Sequence, residues 1–305
     1  MGADVPSQYL NTVQAAKILA VSVSTVKRWV DGGILPAHIT AGGHRKLLRS
    51  EVLALARQGE LPRGELTVLD TTDAELVENT SVLSNSLFDA LMNGRGDDAS
   101  SLLRQAYEAG LSIELLADQV IAPAMGQVGH QWELSRIDVW HEHRATQLCA
   151  AALNDLKREL ELRAERNRPI AVGSAPEGDH YPLPTLLAQL VLLDAGWEAI
   201  NLGPNTPLTS LSKAVGELQP RLVWLSVSFI QNVEEFLSAY RDLYRAVEHH
   251  QTPIAVGGQA LVGTVRASMS YTTYGDGLRH LAAFARTLHP RPKRPRRGRP
   301  RTDSR

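Results

Sequence analysis

Two stretches of this 305-residue sequence hold residue types that could work on a ligand. The first, GHQWELSRIDVWHEHRATQLC, runs from Gly129 to Cys149. It sets Trp132 ten residues before the pair Glu142-His143, and it places Trp140, His143 and Gln147 at i, i+3 and i+7, on one face of a helix. Residues of these types on a helix serve either a ligand face or ordinary core filling. The second stretch, PEGDHYPLPTLLAQL, holds His180 between Asp179 and a Tyr-Pro-Leu-Pro run, directly after a strand-like segment. Imidazole is a common metal ligand, so His180 is the chain's candidate for binding a metal.

A third set is cationic. In SVSTVKRWVDGG, Val26 and Trp29 face inward while Ser24, Thr25, Lys27 and Arg28 lie on the exposed part of a short helix. Hydroxyls and cations at the start of such a helix suit phosphate anchoring and base-edge contacts in a DNA major groove. Thr12, Ser22, Gly43, His44, Arg45 and Lys46 complete the candidate surface, the last four in a turn that reaches an adjacent phosphate or minor groove. The alternative is a small protein-interaction module with a solvated charged face. Near the end, Arg297-Gly298-Arg299-Pro300 resembles the core of an AT-hook, in which Arg297 and Arg299 enter a narrow A·T minor groove. A nonspecific basic tail is the alternative there.

The elements that must carry these residues follow from pattern. Residues 8–58 read as two short helices with a tight turn, then a strand, a Gly42-Gly43 turn, a basic return strand and a third helix from about Ser50: a winged helix-turn-helix occupying residues 1–60. Gly59, Pro62 and Gly64 mark a linker over 61–73. From 74 to 167 the period is helical in four segments (74–93, 97–109, 112–131 and 137–166), predicting a four-helix bundle.

Over 168–288, PIAVGSA, EAINLG, RLVWLSVS, PIAVGGQA and the weaker YTTYGD alternate with helical runs. That pattern predicts a doubly wound, Rossmann- or flavodoxin-like α/β parallel sheet. Its ligand should sit at the strand carboxyl ends: GSAPEGDHY, NLGPNTPL, SVSF and GGQA. Residues 289–305 are too rich in Pro and Arg to build a core.

Composition limits the rest. The single Cys149 excludes an internal disulfide framework and any multi-cysteine zinc site within one chain. No apolar run approaches the roughly 20 residues of a membrane span, and the N-terminus lacks a signal-peptide layout, so a cytoplasmic location is expected. The net charge of −1 conceals a basic tail, in which eight Arg or Lys face the single Asp303, as expected for an arm that meets polyanions.

The stretch YLNTVQAAKILAVSVSTVKRWVDGGILPAHITAGGHRKLLRSEVLAL closely resembles the winged helix-turn-helix of the MerR family. With the Trp-x9-Glu-His spacing and the NLGPNTPL, LSVS and VGGQ loops, residues 8–288 resemble the cobalamin-binding, light-sensing regulators of the CarH and LitR type. The resemblance implies that the bundle caps the upper face of adenosylcobalamin with Trp132, Glu142 and His143, and that Ser226, Ser228, Gly257 and Gly258 line the slot for its nucleotide tail. It also implies a DNA-binding regulator, a repressor and no enzyme, whose oligomer holds several heads on operator DNA in the dark.

Two positions depart from that family. Its lower-ligand motif, acid-x-His-x-x-Gly, aligns with Asp179, Tyr181 and Pro184, which leaves His180 one place early, and the histidine that follows the capping Trp is Glu133. Three readings therefore stay open: cobalamin held with His180 or Tyr181 below the cobalt, or base-on with no protein ligand; another ligand such as a tetrapyrrole or flavin; or none. The rival from another class is a subunit of a corrinoid-dependent methyltransferase, against which the winged head argues.

Overall fold

A computed structural model describes residues 9–12, 15–16, 23–31, 35, 37–39, 45–48, 52, 73–165 and 167–290. In the head, β1 (Tyr9–Asn11), α1 (Val23–Asp31), β2 (His38–Ile39) and β3 (Arg45–Leu48) are described. β3 pairs antiparallel with β2, as the wing requires, and on its other side with β1. The strand β1 corrects the reading of residues 8–58 as opening directly on a helix; three residues are too few for a period-2 pattern to show. Leu10, Ala15, Ala16, Val26, Leu35, Leu47 and Val52 form the head's core, with Trp29 packed against it.

The bundle comprises α2 (Asp73–Met92), α3 (Gly96–Glu108), α4 and α5 (Val139–Leu162). α4 is one run in three parts: Ile113–Leu115, a π-helical turn Leu116–Ile121, and Ala122–Glu133. Pro123, which has no N–H to donate back along the helix, sits where the wide turn hands over to regular helix. α5 starts sharply at Val139 because Asp138 caps it: Oδ1 accepts from Val139 N at 2.7 Å, while His141 Nδ1 accepts from Asp138 N at 3.2 Å. That cap fixes where α5 begins, and its buried residues Ala145, Cys149, Ala152 and Leu153 fix which face turns inward.

The third part is a five-stranded parallel sheet of β4 (Ile170–Ser174), β5 (Glu198–Asn201), β6 (Leu222–Ser226), β7 (Ile254–Gly257) and β8 (Thr273–Gly275), in the order β5-β4-β6-β7-β8. Its helices are α6 (Pro182–Asp194), α7 (Leu208–Leu218), α8 (Val233–His249), α9 (Gly263–Ala267) and α10 (Leu278–Leu288). Alternate strand residues feed two cores. Val172, Val223, Leu225, Ile254 and Val256 pack on α7, α8 and α9. Ala171, Leu222, Trp224 and Ala255 pack on α6 and α10, and that core runs on unbroken into the bundle.

α6 explains the continuity. In PLPTLLAQLVLLD ten residues are buried, so the helix is apolar all round and needs a cover on both sides. The sheet supplies one side and the bundle the other. Leu187, Leu190 and Val191 of α6 share a core with Ala145, Cys149 and Leu153 of α5. Bundle and sheet therefore hold a fixed relation, and a cavity between them is a property of the fold.

Candidate functional site

Strand β4 leads into the loop that carries Asp179, His180 and Tyr181. Asp179 is fully buried, and its carboxylate is committed to backbone: Oδ1 accepts from Tyr181 N at 3.1 Å, while Oδ2 accepts from Ser228 N at 2.6 Å and Phe229 N at 3.2 Å. The β4–α6 loop is thereby tied to the end of β6. From the other side, Asn205 Oδ1 accepts from Gly178 N at 2.8 Å and Asn205 N donates to the Asp179 carbonyl at 2.7 Å. This bracing leaves His180 and Tyr181 exposed at the rim, Tyr181 at 52%.

Above the carboxyl ends of β4, β6, β7 and β8, and below α4 and α5, lies a cavity of about 1330 Å³. Ordinary small-molecule pockets run from roughly 300 to 1,000 Å³, so the occupant this space suits is large. Trp132, Glu142, His143 and Gln147 line it from the bundle. His180, Tyr181, Ser226, Ser228, Gly257 and Gly258 line it from the sheet. Asp179, the remaining candidate, lies beneath the floor.

Gly258 has φ +117°, and a Cβ there would stand 2.2 Å from the Val227 carbonyl oxygen, so only glycine lets these two loops meet. Trp224 forms part of the wall, its indole pressed on Gly173 and its Nε1 donating to Thr185 Oγ1 at 3.1 Å.

Three expectations need correction. Trp140 does not share the cavity face with His143 and Gln147; its ring stacks on His141 at 3.6 Å and lies under the Arg144 guanidinium at 5.0 Å. Burial of Ala145, Cys149 and Ala152 in the core turns Val139, Glu142, His143 and Thr146 toward the cavity instead. The loop NLGPNTPL contributes no lining residue and acts as the brace just described. Asp179 accepts from three backbone N–H groups, in place of the contact to a metal-binding imidazole that the resemblance implies.

Sequence reasoning also missed the β8 end, where Gly275, Gly277, His280 and, from α4, Asp118 complete the wall. Asp118 caps α10 across the two domains, Oδ1 accepting from Leu278 N at 2.9 Å and Oδ2 from Arg279 N at 3.1 Å. The only signal was the Gly-Asp-Gly turn after a weak strand.

Of the candidate DNA contacts, Thr12 is half-buried near the start of the head, Ser24, Thr25, Lys27 and Arg28 lie on α1 with Lys27 exposed, and Arg45 and Lys46 lie on β3. Ser22, Gly43, His44, Arg297 and Arg299 fall outside the described residues, as do the linker up to residue 72 and the tail from residue 291.

The carboxylates Asp118, Glu133, Glu142 and Asp276 line the cavity, and no Lys or Arg is among its described lining residues. The half-buried Glu142 Oε2 lies 3.6 Å from the exposed His143 Nε2, and Glu133 Oε2 lies 3.7 Å from His130 Nδ1 in a solvent-facing pair. Cys149 is inert by contrast: burial pushes its thiol up to about 12. The reactive thiolate is thus scarce at pH 8, and iodoacetamide should leave native Cys149 unmodified by mass spectrometry while alkylating it fully in denaturant.

Residues 9–63 match the family of helix-turn-helix domains, and residues 83–157 match the family of B12 binding domains. The HTH-type transcriptional repressor CarH of Myxococcus xanthus is 28% identical over 274 residues, covering 81% of this chain and 87% of its own length. In this chain a helix-turn-helix match thus precedes a B12-binding match. Trimethylamine corrinoid protein 1 of Methanosarcina mazei is 22% identical over 191 residues, covering 62% of this chain and 88% of its own. The monomethylamine corrinoid protein of Methanosarcina barkeri superposes with a TM-score of 0.57 at 16% identity, over 68% of this chain and 99% of that one, which shows the shared fold of bundle and sheet.

A corrinoid is therefore the group to test against this cavity. The macrocycle fits in two respects. The space is large, and Gly126 and Gly129, three residues apart on α4, both line it with nothing within 4 Å of where a Cβ would stand. A glycine inside a helix costs about 0.5–1 kcal/mol relative to alanine; two that open onto the cavity let a flat ligand lie close to the α4 backbone. The acid-histidine pair beneath the metal does not fit, because Asp179 is engaged elsewhere and Tyr181 occupies the family's histidine position. Among the described residues no group of three or more His, Cys, Asp or Glu could hold a free metal ion, and no described helix is long and apolar enough to cross a membrane.

Proposed function

We propose that this protein is a transcription regulator that binds operator DNA through its winged head and a corrinoid, adenosylcobalamin in the first instance, between its bundle and its sheet. The observation that carries the proposal is the cavity of about 1330 Å³ roofed by α4 and α5 and floored by strand ends, in a chain that opens on a helix-turn-helix domain. Trp132, Glu142 and His143 would hold the ligand from the bundle side. Ser226, Ser228, Gly257 and Gly258 would hold it from the sheet side, and His180 and Tyr181 at the rim would offer it an imidazole and a phenol. The corrinoid would supply a photolabile bond to cobalt. The chain supplies the walls that exclude water and a roof continuous with the core.

Such a ligand changes DNA binding only by favouring one assembly state over another. Repression in the dark by an oligomer that carries several heads, released by light, is the form of that logic proposed here. The named corrinoid proteins support a second reading, a methyltransferase subunit, through the bundle and sheet alone. The head has no part in that reading. Methyl transfer from a methylated corrinoid to a thiol acceptor by the purified protein would establish it.

The test of the regulator reading is enrichment of sheared genomic DNA by the full-length protein, with and without adenosylcobalamin, in darkness and after green light. A shared site whose occupancy depends on the ligand supports the proposal. Absence of any enriched site contradicts it. Within such a site, Lys27→Ala should weaken binding about evenly across sequence variants, and the slope of log K against log salt should fall by about one, as for a single lost phosphate contact.

A further inference from the structure

Asp118, Glu133, Glu142 and Asp276 line the cavity, with no Lys or Arg among its described lining residues. The basic side chains there are the imidazoles of His130, His143, His180 and His280, and the first two already stand beside Glu133 and Glu142. Arg279, whose Nε lies 3.5 Å from Asp118 Oδ2, is outside the lining. Backbone donors are withheld as well. Doubly wound sheets commonly hold phosphates and carboxylates on helix N-termini and N–H-rich turns at the strand ends. Here Asp118 takes the Leu278 and Arg279 N–H groups at the start of α10, and Asp179 takes those of Ser228 and Phe229 after β6. Asn232 Oδ1 takes those of Glu234 and Glu235 at the start of α8. α6 opens on Pro182-Leu183-Pro184, and a proline has no N–H to give.

An anionic ligand entering this space loses its hydration and meets further negative charge with no fixed cation to repay it. Glu133 is exposed and Glu142 half-buried. A large ligand displaces water from beside both, which strengthens their repulsion of any anion it carries. Large flat ligands divide on this point. Haem and the bilins carry propionates, and flavin nucleotides carry phosphate. An amidated corrin carries neutral amides around its rim, and with water and one cyanide on cobalt it bears one net positive charge. We propose that the cavity selects its ligand by charge, admitting a tetrapyrrole whose rim groups are amides and refusing those whose rim groups are carboxylates. Glu133 and Glu142 are the specificity-determining residues, acting through an unpaired repulsion against the wrong ligand. This rests on the reading of the cavity as a corrinoid site and adds which corrinoids and which other pigments it turns away.

The test uses the full-length protein at about pH 8, where an ordinary imidazole is uncharged, and a matched pair of probes. Aquacyanocobinamide and aquacyanocobyrinic acid share ring, cobalt and axial groups, and the second has carboxylates in place of the amides. Absorbance titration should show cobinamide binding about 100-fold more tightly or better, the scale of like charges brought together in a closed site. Biliverdin and flavin mononucleotide in excess should not displace bound cobinamide. Glu133→Gln combined with Glu142→Gln should narrow the corrinoid ratio by about 5- to 10-fold, chiefly by strengthening cobyrinic acid. Damage to the fold would not produce such a gain. A ratio under about 10-fold, with cobinamide bound, would overturn this inference and leave the corrinoid reading standing. Displacement by either anionic pigment would overturn it too, as would a ratio that the paired variant leaves unmoved. A wild-type protein that takes up neither corrinoid would overturn the corrinoid reading itself, and this inference with it.

Discussion

Asp179→Ala is expected to lower stability by about 3 kcal/mol and to abolish ligand retention. The carboxylate accepts three backbone N–H groups, from Tyr181, Ser228 and Phe229, while itself fully buried. Hydrogen bonds to a charged group contribute about 1.5–3 kcal/mol each. Part of that returns when water reaches the freed N–H groups near the rim, which brings the net below the sum. The functional loss should exceed the loss of stability, because the one side chain ties two cavity loops together, after β4 and after β6. Asp179→Asn keeps the volume and one acceptor oxygen but turns an NH2 toward a backbone N–H, so it should fall between wild type and alanine. Thermal denaturation, with ligand retained after gel filtration at a temperature where each variant is folded, checks both effects.

Gly258→Ala is expected to cost about 3 kcal/mol, combining the clash of overpacking with a backbone conformation that L-residues avoid. At φ +117° the new methyl group would meet the carbonyl oxygen, carbon and nitrogen of Val227 at 2.2 to 2.6 Å. Backbone on the neighbouring strand end cannot rotate away as a side chain would. The loops must separate, breaking the bonds from Val227 N to Gly257 O at 2.8 Å and from Ala260 N to Val227 O at 3.1 Å. Gly263→Ala is the control: it has ordinary φ and open space around its Cβ position at the start of α9, and should leave the thermal midpoint unchanged or slightly raised.

Much of this architecture is legible in the sequence because its periods are strong. The runs PIAVGSA, EAINLG, RLVWLSVS and PIAVGGQA each became a strand, and the order β5-β4-β6-β7-β8 is the doubly wound arrangement their alternation with helices implies. The Trp-x9-Glu-His spacing brought Trp132, Glu142 and His143 to one cavity although the first lies on α4 and the others on α5. The three-residue strand β1 and the π-turn of α4 were hidden, because both depend on a neighbouring chain segment more than on local pattern.

The site was less legible where roles pass through backbone. Asp179 reads as an acid waiting for a histidine, yet its partners are peptide N–H groups that no residue spacing announces. Trp140 reads as a cavity residue until the burial of Ala145, Cys149 and Ala152 sets the rotation of α5. Asp118 and His280 are 162 positions apart in numbering and meet through the docking of α4 on α10, so neither stood out alone.

The central claim is that the space between bundle and sheet holds a corrinoid. It is tested most directly by incubating the purified full-length protein with adenosylcobalamin in darkness, removing free ligand by desalting, and recording the ultraviolet-visible spectrum before and after green light. A corrinoid spectrum retained at close to one equivalent, lost in Asp179→Ala and altered by illumination, is the predicted result. A protein that emerges colourless while remaining folded would contradict the account and leave the cavity to a ligand of another class.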